Sequence, residues 1–199
     1  MFEARSALAE CDARTDHAGL DGQRTLRLGE VRGGHLLQLG VFPGAMPAVT
    51  AAVDAVLGTS LPASPIIATE LADHRIFRIA QDQYWVLTPN ASLARRLRAA
   101  VPADAGSVTS LDGARVRLLI EGATAQRLLG QLLSIDLDRA MFPAGHFAQT
   151  GIHHVGGLLH HARTDRYEYL TLRTYAVSVL EIIADAARPF GYQTFNEEI

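Results

Sequence analysis

Apolar and polar positions change period repeatedly along this chain, and each change marks an element. From Thr25 to Glu30, Leu26 and Leu28 alternate with polar residues, and Leu37, Leu39 and Val41 do the same after Arg32-Gly33-Gly34. This predicts a hairpin of two half-buried strands. Val49, Ala52, Val53, Val56 and Leu57 then follow a helical stripe, with Pro47 suited to the first turn and Gly58 to a left-handed cap. Three short strands are expected at Ile66–Leu71, Arg75–Ile79 and Tyr84–Leu87, and a helix capped by Asn90 carries Leu93, Leu97 and Val101 before Pro102 ends it.

The same order then begins again. Val108–Leu111, a turn at Asp112-Gly113 and a strand with Val116, Leu118 and Ile120 on one face predict a second hairpin. Ala125, Leu128, Leu129, Leu132 and Leu133 form the clearest helical stripe, with Gln126, Arg127 and Gln131 opposite. Strands are expected at Phe147–Ile152, Val155–His160 and Tyr167–Leu172. A last helix, capped by Thr174, would bury Ala176, Val179, Leu180 and Ile183 and stop at Pro189 and Gly191. Leu61-Pro62-Ala63 and Phe142-Pro143-Ala144 occupy equivalent places in the two series. The pattern predicts an α+β fold of two similar ferredoxin-like half-domains related by internal duplication. Its expected segments are an N-terminal extension over 1–22, a first half-domain over 23–104 and a second over 105–199, with a boundary near Pro102–Ser107.

Length and charge narrow the function. A chain of 199 residues, 48% of them hydrophobic and 20% charged, hides roughly 70% of its surface on folding. All 18 basic residues are arginine, so no lysine is present to form a Schiff base or a phosphate loop. The net charge is −3, and the only basic run is Arg95, Arg96 and Arg98, which argues against nucleic acid. No apolar stretch reaches the ~18 residues of a membrane span, and the start, with Glu3, Arg5, Glu10 and Asp12, lacks a signal core. A cytoplasmic location is expected. Cys11 is the single cysteine, which excludes an internal disulfide and a multi-thiolate metal site.

Candidate chemistry is sparse. No Gly-x-Gly pair, Gly-x-Ser-x-Gly elbow or His-Glu-x-x-His helix occurs. His146, His153, His154, His160 and His161 crowd one region, but neighbours on a strand face opposite ways, so each pair offers one member to a shared site. A turn at Gly156-Gly157 would bring His153 or His154 near His160 or His161, supplying two imidazoles and no identified third ligand. Asp136 with Asp138, in a loop, and Glu197 with Glu198, at the end, are the paired carboxylates weighed for acid/base work, and loop acids ordinarily serve turns. Tyr84, Trp85, Tyr167, Tyr169 and Tyr175 are suited to packing or to a partner surface. No catalytic, cofactor-binding or metal residue is assigned.

A series of short words carries a resemblance. Arg5-Ser6-Ala7-Leu8, Leu61-Pro62, Tyr84-Trp85-Val86-Leu87, Asp136-Leu137, Phe142-Pro143-Ala144-Gly145, Ala148-Gln149-Thr150 and Arg173-Thr174-Tyr175-Ala176 occur in an order that resembles the gamma subunit of heterotetrameric sarcosine oxidase. The likeness is strongest from Arg115 to Gly191, and Phe147 departs from it where the family often has cysteine. The resemblance implies a fold similar to the first two domains of the aminomethyltransferase, folate-binding fold, truncated before its third domain. It implies a non-catalytic subunit of a flavin-dependent complex that demethylates sarcosine to glycine, with hydrogen peroxide and 5,10-methylenetetrahydrofolate as products. FAD, FMN, NAD, zinc and tetrahydrofolate would belong to the alpha, beta and delta subunits, with alpha the direct contact and no cofactor held by this chain. The alternative is a stand-alone folate-binding or one-carbon transfer module of the aminomethyltransferase type.

Overall fold

The computed structural model describes residues 6–9, 11, 15–71 and 74–198, so Glu3, Arg5, Glu10 and Asp12 of the sequence reading lie outside the described residues. In chain order the elements are β1 (Leu26–Arg32), β2 (His35–Val41), α1 (Met46–Leu57), β3 (Thr69–Leu71), β4 (His74–Ala80), β5 (Gln83–Thr88), α2 (Ala91–Ala100) and β6 (Gly106–Ser110). There follow β7 (Arg115–Glu121), α3 (Ala125–Leu132), β8 (Phe147–Ile152), β9 (Val155–Arg163), β10 (Arg166–Leu172), α4 (Ala176–Ala187) and β11 (Tyr192–Glu198). The chain divides into two compact units, one formed by Gly33–Gly113 and the other by the segment up to Arg32 together with Ala114–Glu198.

The Gly33–Gly113 unit has a sheet of order β3-β4-β5-β2-β6, antiparallel at every pairing. With α1 after β2 and α2 after β5, this is the ferredoxin-like βαββαβ order plus the short edge strand β3. Local sequence explains the helices. Pro47 sits in the first turn of α1, Gly58 closes it at φ 68° with its N–H on Asp54 O, and Asn90 caps α2 by accepting the Ser92 N–H. Val49 and Val53 of α1 and Leu93 and Leu97 of α2 pack on Leu37, Leu39, Ile76 and Val86 of the sheet. Each such burial contributes about 1.5–3 kcal/mol. The expected strand Ile66–Leu71 is shortened to β3, because Ser64 Oγ accepts the Ile66 and Ile67 N–H groups at 3.2 and 3.0 Å and holds them in a loop.

The other unit repeats the pattern with β7, α3, β8, β9, β10 and α4, in a sheet of order β11-β1-β7-β10-β9-β8. Leu128 and Leu129 of α3 and Val179, Leu180 and Ile183 of α4 cover Leu26, Leu28, Leu118, Ile120, Tyr167 and Tyr169. Leu8, 1% exposed, and the free Cys11 also lie in this core, and the His17 backbone bridges Tyr192. The described part of the expected extension is therefore built into the unit. Thr174 does not cap α4. A 3-10 turn over Arg173–Tyr175 leads into the helix, whose N-cap is Tyr175 without a side-chain bond. Edge strand β11 is absent from the sequence reading, since the run from Tyr192 to Glu198 is polar and does not alternate in hydrophobicity.

Neither expected hairpin forms. β1 pairs with β7 and β11, and β2 with β5 and β6, while β6 pairs with β2 and not with β7. The leading strand of each repeat is thus exchanged: β1, which precedes β2, lies beside β7, and β6, which precedes β7, lies beside β2. The turn signals are real but serve as crossings. Gly33 and Gly34 take φ of 78° and 74°, and Asp112 accepts the Leu36 N–H at 2.8 Å while its other oxygen meets His35 Nδ1 at 2.8 Å. The chain consequently passes between units at Arg32/Gly33 and Gly113/Ala114, which differs from the division at 104/105 read from the pattern.

Candidate functional site: polar residues of the six-stranded sheet

The histidines sit at two places on the β8–β9–β10 edge. The hairpin turns at His153-His154, where both side chains are exposed and His153 takes φ 54°. Gly156 and Gly157 lie inside β9, so the expected turn there is not formed. His160 pairs across the ladder with Phe147 and Glu168, six residues and about 20 Å of strand from His154. His153 and His154 are therefore not brought to His160 or His161.

His160 and His161 are buried on opposite faces. His161 stacks on Tyr167 with ring centroids 4.4 Å apart and lies parallel to Phe142 at 6.2 Å. Its Nδ1 is 2.8 Å from Phe142 O, and since a carbonyl only accepts, Nδ1 carries the proton. The His161 N–H donates to His146 O, and the Gly145 N–H to His161 O, which fastens the Phe142–His146 loop to β9. No three His, Cys, Asp or Glu side chains gather into a possible metal set among the described residues.

The opposite face of the sheet carries an ion-pair strip that the sequence reading missed. Arg166, at the start of β10, donates from both terminal nitrogens to Glu197 of β11 at 2.9 and 2.8 Å, and from Nη2 to Glu168 at 3.4 Å. Arg117 of β7 lies 3.5 Å from Glu168, whose side chain is 1% exposed. Glu121 of β7 meets Arg27 at 3.0 Å, Arg163 at 3.2 Å and Arg166 at 3.8 Å. The signal for this strip is charge at strand positions between large apolar residues, as with Glu168 between Tyr167 and Tyr169.

These contacts set the electrostatics. The hydrogen bond from Arg166, assisted by its charge, holds the Glu197 carboxyl below the ordinary carboxylate range despite partial desolvation. Burial opposes the Arg166 charge, but the Glu197 hydrogen bond and the charges of Glu168, Glu197 and Glu121 outweigh it and raise its pKa. A carboxylate so held is ionised at neutral pH and is no proton donor. The strip fixes charges and ties β7, β10 and β11 together, with bidentate arginine geometry at its outer end.

The remaining paired acids do not form joint sites. Asp136 Oδ1 accepts the Asp138 N–H at 2.9 Å and Asp138 Oδ1 the Ala140 N–H at 2.8 Å, so both serve the loop after α3, where Gln126 also donates to Leu137 O. Glu198 separates from Glu197 and lies 3.7 Å from Arg32. Of the aromatic set, Tyr84, Trp85, Tyr167 and Tyr169 are buried, while Tyr175 is 49% exposed.

Comparison with known proteins agrees with this architecture. No curated protein sequence matches the chain. A chain from the heterotetrameric sarcosine oxidase of Corynebacterium sp. U-96, solved with pyrrole 2-carboxylate, superimposes with a TM-score of 0.84 at 24% identity, covering 94% of this chain and 96% of that one. The glycine cleavage system aminomethyltransferase T from Bartonella henselae superimposes with a TM-score of 0.60 at 15% identity, covering 88% of this chain and 48% of that one. At these identities the two establish the fold, and this chain spans about half the length of the aminomethyltransferase. The family model described as sarcosine oxidase, gamma subunit family matches residues 43–188, well over half of the sequence. On that match, the chain belongs to the sarcosine oxidase gamma subunit family.

Proposed function

We propose that the chain is the structural gamma subunit of a heterotetrameric, flavin-dependent sarcosine oxidase acting in the cytoplasm. In this reading the complex oxidatively demethylates sarcosine to glycine, reduces oxygen to hydrogen peroxide and passes the one-carbon unit to tetrahydrofolate as 5,10-methylenetetrahydrofolate. FAD, FMN, NAD, zinc and tetrahydrofolate sit on the alpha, beta and delta subunits, and this chain adds interface on alpha. The observation that carries the reading is the family match across residues 43–188. The near full-length superposition on a chain of a heterotetrameric sarcosine oxidase supports the fold it requires. The chemistry of the polar strip is consistent with a structural role, because its charged side chains are engaged in ion pairs with one another.

A subunit of this kind stabilises its complex by binding the assembled state, so its removal lowers recovery and stability of the whole. The test is co-expression of all four subunits, with and without this chain, followed by capture through alpha and a peroxide assay with sarcosine. The expected result is a yellow complex containing the chain, and a clear fall in recovered active complex without it. Full recovery and activity in its absence, with the chain eluting alone, would overturn the reading. Tight binding of tetrahydrofolate by the lone chain would instead favour the stand-alone one-carbon module.

A further inference from the structure

Helix α2 presents an outer face made of arginine and alanine only. Leu93 and Leu97 point into the core, while Ala91, Arg95, Arg96, Arg98 and Ala99 are exposed. Several arginines elsewhere meet carboxylates within 4 Å, as with Arg27 and Glu121, Arg139 and Asp165, or Arg188 and Asp185, while Arg78 is taken up by the Ala63 and Gln81 carbonyls and Arg127 lies over the Phe190 ring. No carboxylate among the described residues comes that close to Arg95, Arg96 or Arg98. The helix itself holds no acid at any i±3 or i±4 position.

The fold accounts for part of this set. Arg98 lies in the last turn, where the helix dipole favours a cation, and its Nε donates to Val108 O at 3.3 Å. Arg96 donates to Val56 O at 3.1 Å, across to α1. Arg95 has no such task, and it stands three positions from Arg98, a like-charge spacing that disfavours a helix. Arg95 and Arg98 thus stand on the outer face of α2, with Arg96 about 100° round the helix on the side of α1, and among the described residues no carboxylate within 4 Å offsets these three charges.

We infer that the outer face of α2 is the docking surface for an acidic stretch of the alpha subunit, an inference that rests on the subunit reading above. Charge complementarity selects the partner. Arginine forks pair bidentately with carboxylates, and the flanking Ala91 and Ala99 leave room for the partner's acids to reach them. Such a contact sets orientation and encounter rate and weakens as salt screens it.

The test is a competition inside the assembled oxidase. Wild-type chain and a variant carrying Arg95→Glu, Arg96→Glu and Arg98→Glu, distinguished by mass, are co-expressed with the other three subunits, and their ratio is read in complexes captured through alpha. The wild type is expected in about tenfold excess or more, the Arg→Gln triple variant in between, and a control Arg24→Glu near parity. Sodium chloride should release the Arg→Gln chain at lower concentration than the wild type. Circular dichroism of each free chain confirms that the variants fold. Incorporation of the triple Glu variant at parity, with unchanged salt release, would overturn this inference while leaving the subunit reading intact. Absence of the wild-type chain from the captured complex would overturn both. Parity in the complex together with heparin binding that the triple variant loses would assign the face to a polyanion and overturn it as well.

Discussion

Gly156 and Gly157 are neighbours on β9 with opposite tolerance for a side chain. A Cβ on Gly157 would lie 2.4 Å from Tyr169 Cζ, 2.6 Å from its hydroxyl and 2.8 Å from Leu170 O, whereas one on Gly156 would meet nothing within 4 Å. Tyr169 cannot yield, because it is fully buried and its hydroxyl donates to Val155 O at 2.9 Å and accepts the Ile152 N–H at 3.3 Å. Gly157→Ala is expected to destabilise the chain by about 1–3 kcal/mol, and Gly156→Ala by less than about 0.5 kcal/mol, both read from urea unfolding midpoints. At the ion-pair strip the sign with pH follows from Glu197. Its pKa is lowered on folding, so its contribution is fully present above the ordinary glutamate range near pH ~4.3 and is lost as pH falls through the lower native value. Glu197→Gln should lower the melting temperature at pH 7, and the gap to wild type should close on acidification. A gap that persists unchanged at pH 3 would contradict the assignment.

Among the elements, β1 is the most informative. It lies between β7 and β11, and Gly29 faces Phe195 so closely that a Cβ would come within 1.8 Å of the Phe195 carbonyl oxygen. Gly29→Ala should therefore separate β11 from β1, costing about 3 kcal/mol and raising amide exchange along Tyr192–Glu198 before the rest of the sheet. Uniform exchange across β1, β7 and β11 in that variant would count against it. The helices and the runs of β8 and β10 were legible from period and capping residues, because Pro47, Gly58 and Asn90 act locally. Pairing was not legible. Alternation in Thr25–Glu30 or Val108–Leu111 says that one face is buried but does not name the neighbouring strand, and Gly33-Gly34 suits a crossing as well as a turn. The buried Arg117, Glu168 and Arg166 were hidden for the same reason, since their partners come from strands distant in sequence.

At the scale of the whole molecule, the repeat of β2-α1-β3-β4-β5-α2 by β7-α3-β8-β9-β10-α4, with exchanged leading strands, ties the chain to the fold of its relatives more directly than any single residue does. The family was legible only through the order of words such as Phe142-Pro143-Ala144-Gly145 and Arg173-Thr174-Tyr175-Ala176, not through chemistry. The reason is visible in the residues those words contain. Phe142 stacks near His161 and its carbonyl accepts from the His161 Nδ1, and Ala176 is buried at the start of α4, so these residues of the words serve packing. A chain whose proposed role is to complete an assembly is most directly tested by the composition of that assembly. Native mass spectrometry of the oxidase captured through its alpha subunit should show one copy of this chain for each alpha, with loss of the chain lowering the melting temperature of the remainder. A complete, equally stable complex of the other subunits, with this chain absent from every species, would contradict the account.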